Sequence, residues 1–345
     1  MNERGLMDHP LAQLTLVRFR EFIREPEALF WVFLFPIILA AGLGIAFRNR
    51  PPEALRVVTP SQVLAKALGG DKRLDVKLES DTEAAWEMRT GKAVLEALPG
   101  ESGVTYRYDD TNPDGRTARM LADAAVQQAA GRVNPVQSGD SLVREPGSRY
   151  IDFLVPGLLG MNLMGSAIWG MGFAIVDARR KKLMKRLVAT PMPRRYYLMS
   201  FGLSRMVLLV LEVVVVLGFG NVAFGVPVRG SMAVLAGLCI LGSLSFSAIG
   251  LLIASRVRTI EAASGLMNAV MMPMWVLSGV FFSSQRFPDV VQPIIKALPL
   301  TAAIDALRIN MLQGGGLAQI ASQIGVLAVW MVAGFALALK LFRWK

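Results

Sequence analysis

The chain has 345 residues, 53% of them hydrophobic, and its mean hydropathy is +0.46. Apolar runs of about 20 residues, the length that a helix needs to cross the hydrocarbon core, recur along it, which excludes an ordinary soluble globular protein. The net charge of +11 would favour a nucleic-acid partner in a soluble protein, but residues 150–345 carry 18 Lys or Arg against 6 Asp or Glu. A basic excess in the apolar half is typical of membrane topology, so we expect no nucleic-acid partner. The single cysteine, Cys239, lies inside an apolar run, which leaves no disulfide framework, no metal-ligand spacing and no catalytic pair.

Residues 1–27 predict a cytoplasmic amphipathic helix that lies in the membrane interface. Its apolar residues recur at helical spacing, at Ala12, Leu16, Phe19 and Ile23, and charged side chains occupy the other side. After Pro26, residues 28–47 are long and apolar enough to form the first transmembrane helix. This run is too long for the apolar core of a cleaved signal peptide, so we predict a retained span.

Residues 48–149 have balanced charge, frequent Gly and Pro, and no run long enough to span a membrane. The pattern predicts four strands, at 56–59, 74–78, 93–98 and 104–108. It also predicts three helices, at 61–68, 82–89 and 113–130. The order β-α-β-α-β-β-α suits one small α/β domain, which we expect outside the cytoplasm because the span before it begins inside. No Ser/His/Asp set, carboxylate pair or phosphate loop stands out, which favours a structural or gating role over catalysis.

A second apolar run, residues 151–176, is followed by a strongly basic loop and a third apolar run. Lys and Arg near span ends set the orientation of a membrane protein, so this loop is predicted to lie in the cytoplasm. We expect a short helix over 178–190, with Asp177 as its N-cap and Pro191 at its end. On these residues alone, the loop is either a topology signal or a functional element.

Four more runs complete a prediction of six transmembrane helices, at 201–226, 232–254, 262–282 and 317–342. Segment 283–316 is broken by three prolines and is too interrupted to span, so it predicts one or two short helices that re-enter at the outer face. Every loop placed inside is basic, which puts both termini in the cytoplasm. The predicted fold is an α-helical polytopic membrane protein of the cell (inner) membrane. It has six transmembrane helices, five of them in residues 150–345, one small extracytoplasmic α/β domain over 48–149 and an N-terminal interfacial helix.

Two charged residues inside the third predicted span, Arg205 and Glu212, lie seven positions apart and therefore on nearly the same helix face. An intramembrane charge marks a functional site by default. Arg205 is near the inner end and is expected to snorkel to the interface, whereas Glu212 lies deeper. Glu212 is either paired with a polar group on another helix or part of a proton or substrate route. The intramembrane asparagines, Asn162, Asn268 and Asn310, are expected to form hydrogen bonds between helices.

Three blocks resemble the permease subunit of type-2 ABC exporters, the family with an extracytoplasmic domain between the first two spans. Residues 178–197 (ARRKKLMKRLVATPMPRRYY) resemble its cytoplasmic coupling segment, and residues 108–116 (YDDTNPDGR) resemble a strand-to-helix junction of its external domain. Residues 277–314, with SGVFF and LPL, resemble its re-entrant outer segment. The likeness covers nearly the whole chain. One departure concerns the contact with the ATPase: many relatives have an acidic residue and Gly-Thr before Arg186-Leu187, where this chain has Lys182-Leu183-Met184-Lys185.

The resemblance implies a permease that works as two halves, identical or homologous, on two copies of a cytoplasmic ABC ATPase subunit and in contact with membrane lipids. ATP and Mg would bind the partner, and this chain would carry no cofactor, metal or catalytic residue, since no G-x-x-x-x-G-K-[ST] occurs in it. Closure of the ATPases would move the coupling helix and export a lipid, a drug-like molecule or another amphiphile. The residues implied in coupling are Arg179, Arg180, Leu183, Arg186, Leu187, Val188, Thr190 and Pro191.

Two other classes of function compete with this interpretation. A proton-coupled secondary transporter would use Glu212 as its proton carrier, but such transporters usually show inverted repeats, and none is visible in this sequence. An intramembrane or external-domain enzyme would need a nucleophile and a base, and no such constellation stands out. An ATPase subunit that co-purifies with the chain would favour the exporter over both.

Overall fold

The computed structural model describes residues 10–47, 54–100, 103–133, 149–181, 194–257 and 259–341. These residues belong to two compact units, one from residues 1–48 and 144–345 and one from residues 49–143. Within the described ranges, six helices are long and apolar enough to cross a membrane, and a second group of helices surrounds a small mixed sheet. The predicted fold class, a polytopic helical membrane protein with a small α/β part, is confirmed.

The helices are α1 Pro10–Ile23, α2 Pro26–Ala46, α3 Gln62–Leu68, α4 Asp81–Arg89, α5 Pro113–Ala129, α6 Tyr150–Arg180, α7 Arg194–Phe224, α8 Met232–Arg256, α9 Ile260–Leu277, α10 Gln292–Ala297, α11 Pro299–Gln313 and α12 Ala321–Leu341. The strands are β1 Leu55–Thr59, β2 Leu74–Leu78, β3 Leu95–Gly100 and β4 Gly103–Tyr108. The candidate spans are α2, α6, the Gly202–Phe224 part of α7, α8, α9 and α12.

Among the residues described, the smaller unit contains a four-stranded sheet with its strands in the order β2-β1-β3-β4. β1 is parallel to both β2 and β3, and β4 is antiparallel to β3. Helices α3 and α5 cover one face, where Val57 and Leu95 are fully buried, and α4 packs on the other face over Val58. Local signals place these helices: Asn112 caps α5 by accepting from the Asp114 N–H at 2.9 Å, as its position before Pro113 predicted.

In the membrane unit, α6 is the central helix. Of its most apolar stretch, 83% is buried, against 56% or less in the other five candidate spans. It packs against α7, α8, α9 and α11, whose side chains form one continuous apolar core with it. The run of residues 151–176 has apolar residues on every side and few polar ones, which is what a helix surrounded by other helices requires.

Two glycines bring backbones into close contact with this helix. An ideal Cβ at Gly157 would lie 2.5 Å from the carbonyl oxygen of Val280, and one at Gly250 would lie 2.6 Å from that of Ile168. Backbone cannot rotate away as a side chain can, so any larger residue at either position would push the elements apart. Small residues at such crossings are the usual means by which membrane helices approach closely.

Several helix ends differ from the prediction, and three of them in the membrane unit differ by four or more residues or lose a predicted cap. Asp177 was predicted as the N-cap of a new helix, which is wrong: α6 continues through it to Arg180, because no helix-breaking residue intervenes and Lys181 pairs with Asp177 one turn later, at 2.7 Å. The fifth span ends at Leu277 rather than at residue 282, since Gly279 adopts φ +78° and stops the helix. The sixth begins at Ala321 rather than at residue 317. Segment 283–316 does contain two short helices in sequence, α10 and α11, bent by 84° at Leu298.

Candidate functional site: a buried ion pair and the end of the central helix

The two charged residues of α7 form an ion pair inside the membrane unit. The Nη1 of Arg205 donates to Oε1 of Glu212 at 2.8 Å, and its Nη2 donates to Oε2 at 3.3 Å. The Glu212 side chain is fully buried and that of Arg205 is 12% exposed. Arg205 therefore does not snorkel to the interface as expected but extends along its own helix toward Glu212. A guanidinium and a carboxylate that meet through two hydrogen bonds are the strongest form of such a pair.

Two serines join this pair to neighbouring helices. Ser166 on α6 accepts from Nη2 of Arg205 at 2.8 Å, and its hydroxyl lies within donating distance of Glu212 Oε2, at 2.8 Å, and of the Asn162 carbonyl, at 2.7 Å. Ser243 on α8 accepts from Nε of Arg205 at 3.2 Å. We refer to Arg205, Glu212, Ser166 and Ser243 as the polar clip. The clip ties α6, α7 and α8 together through side chains whose polar atoms have partners, which is what makes a buried charge tolerable.

The geometry of the clip favours a structural pair over a proton carrier. Both oxygens of Glu212 already accept hydrogen bonds, so the uptake of a proton would require the bidentate contact with Arg205 to break. The main partner of Glu212 differs from the one expected. Its guanidinium partner, Arg205, lies two turns away on the same helix, and only the hydroxyl of Ser166 comes from another helix.

The three intramembrane asparagines have different environments. The Nδ2 of Asn162 donates to the Val32 carbonyl at 3.1 Å, inside the π-helical turn Phe30–Leu34 of α2, which is the bond between helices that was expected. A π-turn shifts the backbone ladder by one residue and often marks a functional position. Asn268 lies exposed on α9 rather than between helices of this chain. Asn310 is buried beside Gly230 in the α7–α8 connection, and its side-chain amide makes no hydrogen bond with the described residues, so it does not form the expected bond between helices.

The last turn of α6 is attached to the end of α8. The Nη1 of Arg179 donates to the carbonyls of Ala254 and Val257, both at 3.1 Å. The last carbonyls of a helix have no partner within it, so a cationic side chain from a neighbour both satisfies them and interacts favourably with the helix dipole. Arg179 was expected to contact a partner ATPase; both of these hydrogen bonds are with its own chain.

Of the remaining residues predicted to act in coupling, Arg180 lies within the part of the chain that the structure describes. Arg180 is 63% exposed and lies 4.0 Å from Asp177. The Asp177 carboxylate accepts a hydrogen bond from Lys181 and thereby raises the pKa of that ammonium group. The other predicted coupling residues lie outside the described residues: Leu183, Arg186, Leu187, Val188, Thr190 and Pro191.

At the opposite end of α6, Arg308 on α11 holds the short helices against the spans. Its Nη2 donates to the carbonyls of Gly279, at 2.6 Å, and Phe153, at 3.1 Å, and its guanidinium carbon lies 3.5 Å from the centre of the Phe153 ring. The start of α6 has a similar internal pair, in which the fully buried Asp152 accepts from Nη2 of Arg149 at 2.8 Å. Asp152 is therefore paired with an opposite charge, and Arg308 makes its hydrogen bonds with backbone carbonyls of its own chain.

Sequence reasoning did not identify the two serines, Arg308 or the Arg179 contacts. Serine is too common in apolar helices to single out Ser166 or Ser243 by itself. The sequence feature that could have pointed to these serines is the pair of charges on α7. Buried charges need polar partners, so the helices that pack against α7 at that depth must carry polar side chains.

Comparison with known proteins identifies a family and several relatives. Residues 26–340 match the family model described as ABC-2 family transporter protein. ABC transporter G family member 20 of Dictyostelium discoideum is 29% identical over 56% of this chain and 27% of the relative. The putative transport permease YvfS of Bacillus subtilis is 30% identical over 40% of this chain and 56% of the relative. The inner membrane transport permease YadH of Escherichia coli is 25% identical over 57% of this chain and 76% of the relative. The match thus spans about a quarter and about half of the first two relatives and about three quarters of the third.

Proposed function

The chain belongs to the ABC-2 family of transporter proteins as a multi-pass membrane permease subunit, and we propose that it exports an amphiphile, lipid-like or drug-like, from the cytoplasm or the inner leaflet. Support for an apolar cargo comes from α9, on which the large apolar side chains of Leu266, Met272 and Val276 are exposed and not packed in the core of this chain. A methionine side chain is flexible and polarisable, so it adapts to apolar molecules of different shape.

Energy would come from ATP and Mg bound to a separate cytoplasmic ABC ATPase, present in two copies beneath two permease halves. The loop between α6 and α7, residues 182–193, would receive the movement of the ATPase. The halves are identical or homologous chains. This proposal puts both termini and that loop in the cytoplasm and residues 48–149 on the other side, with support from the basic residues at the ends of the spans.

The proposed coupling role is supported by the hydrogen bonds that attach the two helices flanking this loop to each other and to α8. The loop leaves α6 at its last turn and enters α7, so a force on it acts on both helices. Arg179 links α6 to α8, and the polar clip links α6, α7 and α8 deeper in the membrane. Three spans joined by the polar clip, two of which are joined again through Arg179, would move as one body, which is the kind of rigid-body rotation that opens a path between two halves.

The test is Leu187→Asp in the permease purified with the ATPase subunit that co-purifies with it. A leucine buried in a partner groove contributes roughly 1.5–3 kcal/mol, so its loss should weaken docking by about tenfold to a hundredfold. Membrane insertion should be unchanged, because the loop does not enter the hydrocarbon. Pull-down in detergent and ATPase activity in nanodiscs measure the two effects.

The matched control neutralises Lys181 and Lys182 together, which should change coupling much less because these side chains are expected to face water or lipid headgroups. Loss of coupling in the lysine variant with normal coupling in Leu187→Asp would show that the loop is only a topology signal. Purification of the wild-type chain without any ATPase would count against the exporter.

A further inference from the structure

The first span, α2, contains an irregular turn over Phe30–Leu34, where the backbone is π-helical. There the N–H of Phe35 donates to the carbonyl of Phe30, five residues earlier rather than four. The next residue is Pro36, which has no N–H, so the Val32 carbonyl cannot accept the bond that a regular α-helix would give it. A proline within a span is tolerated where a neighbouring group satisfies the backbone that it frees, because the hydrocarbon core contains no water to do so.

Asn162 on the central helix α6 supplies such a group. Its Nδ2 donates to the Val32 carbonyl at 3.1 Å, and both residues are buried, with exposed fractions of 6% for Asn162 and 9% for Val32. Ser166, one turn further along α6, belongs to the polar clip, and its hydroxyl lies 2.7 Å from the Asn162 carbonyl. One turn of α6 therefore contacts both the irregular turn of α2 and the charged pair of α7.

The two parts of α2 on either side of the irregular turn have different neighbours. Toward its C-terminal end α2 packs closely on α6, where an ideal Cβ at Gly44 would lie 3.0 Å from the side chain of Ile151. Toward its N-terminal end it contacts α1, and the rings of Phe22 and Phe33 lie 6.2 Å apart in an edge-to-face arrangement. Proline and a π-turn are the usual causes of a bend in a helix, and here they coincide at the boundary between the two parts.

We propose that residues 30–36 form a hinge in α2 and that Asn162 is the positioning residue that holds it, in place of the N–H that Pro36 lacks. Arg18 on α1 donates to Ser200, near the start of α7, at 3.1 Å. A displacement of the 182–193 loop therefore reaches α1 and the N-terminal part of α2, while the C-terminal part stays with α6. This role in transport rests on the proposed function, whereas the hinge itself does not.

The first experiment is a thermodynamic cycle on the full chain, measured by SDS titration in mixed micelles. Asn162→Leu removes the donor to the buried Val32 carbonyl and should lower the folded-to-unfolded ratio by about tenfold. Pro36→Ala restores a backbone N–H to α2, so Asn162→Leu should cost no more than about twofold in that background. Pro273→Ala on α9 is the matched control and should not rescue Asn162→Leu. Among the described residues, no side chain donates to the carbonyl four positions before Pro273.

The second experiment distinguishes a hinge from a contact that only stabilises the fold. Spin labels on cysteines at Gln13 and Ile45, both exposed, report the distance between α1 and the C-terminal part of α2 in a Cys239→Ser background. Pulsed EPR spectroscopy should give a narrower distance distribution for Pro36→Ala than for wild type, because alanine favours a regular helix. With the co-purified ATPase in nanodiscs, Pro36→Ala should fold normally and lose about tenfold in transport, as expected when a hinge is stiffened.

Equal costs of Asn162→Leu in the wild-type and Pro36→Ala backgrounds would overturn the proposal, since Asn162 would then not replace the missing N–H. Distance distributions of equal width in wild type and Pro36→Ala would overturn the hinge. A narrower distribution with normal transport would overturn its role in transport. The cycle and the distances are measured on this chain alone, so failure to find an ATPase partner would count against the proposed function and not against the hinge. Pro36→Ala also tests the hinge if Asn162→Leu does not fold.

Discussion

The polar clip allows a quantitative test of what holds the three inner helices together. Replacing Glu212 by Leu would leave the guanidinium of Arg205 buried without its anion, and replacing Arg205 by Met would leave the carboxylate without its cation. Removal of one partner of a buried ion pair costs about 3–5 kcal/mol, because the remaining charge is uncompensated. Each single variant should therefore lower the folded-to-unfolded ratio by about a hundredfold to several thousandfold.

The double variant Arg205→Met/Glu212→Leu removes both charges and keeps most of the volume. Replacement of a buried pair by apolar residues of similar size is often neutral or stabilising, so this variant should be much closer to wild type than either single change. The residual cost is the loss of hydrogen bonds by Ser166 and Ser243, each about 0.5–1.5 kcal/mol. The thermodynamic cycle should thus give a coupling of about 3 kcal/mol or more between the two positions.

The measurement is unfolding by SDS titration in mixed micelles, followed by helix content, for wild type and the three variants. Glu212→Gln supplies a milder fourth point: its amide keeps one acceptor for Arg205 and loses the second, at a cost of about 1.5–3 kcal/mol. Additive effects of the two single substitutions would refute the reasoning, since they would mean that the charges are stabilised independently. In transport assays Glu212→Gln should keep a pH dependence close to that of wild type; loss of transport with normal assembly would favour a proton or substrate route through Glu212.

Two further predictions concern topology and packing. Single cysteines in place of Ser80 and Ala189, in a Cys239→Ser background, should react with an impermeant thiol reagent from opposite sides of the membrane; labelling from one side would contradict the six-span topology. Gly250→Ala should destabilise the membrane unit by about 1–3 kcal/mol, because the new Cβ would lie 2.6 Å from a backbone oxygen. Gly218→Ala, with nothing within 4 Å of the new atom, should be neutral or stabilising in the same SDS titration, and equal effects of the two would show that the close approach is not what matters.

The sequence by itself determined the elements whose signals are local. Runs of apolar residues identify the six spans because the thickness of the bilayer sets a length that few other segments reach. The order of strands and helices in residues 54–133 follows from the alternation of apolar and polar residues, from helix caps and from turn residues. Asn112 and Pro113, for example, predict the start of α5 to within one residue. The pair Arg205 and Glu212 could be assigned to one helix face from their spacing alone.

Only the tertiary structure decided where these side chains find their partners. Ser166 and Ser243 are 39 and 38 positions away from Arg205 in the chain, and nothing near either residue indicates that their helices pack at that depth. The same holds for Arg179, whose acceptors become available only because α8 ends beside the last turn of α6. Asp177 shows the converse. Its position predicted the N-cap of a new helix, but α6 continues through it because no helix-breaking residue intervenes. Periodicity and caps act over one or two turns, whereas the pairing of buried charges depends on which helices are neighbours, and that is a property of the packed bundle.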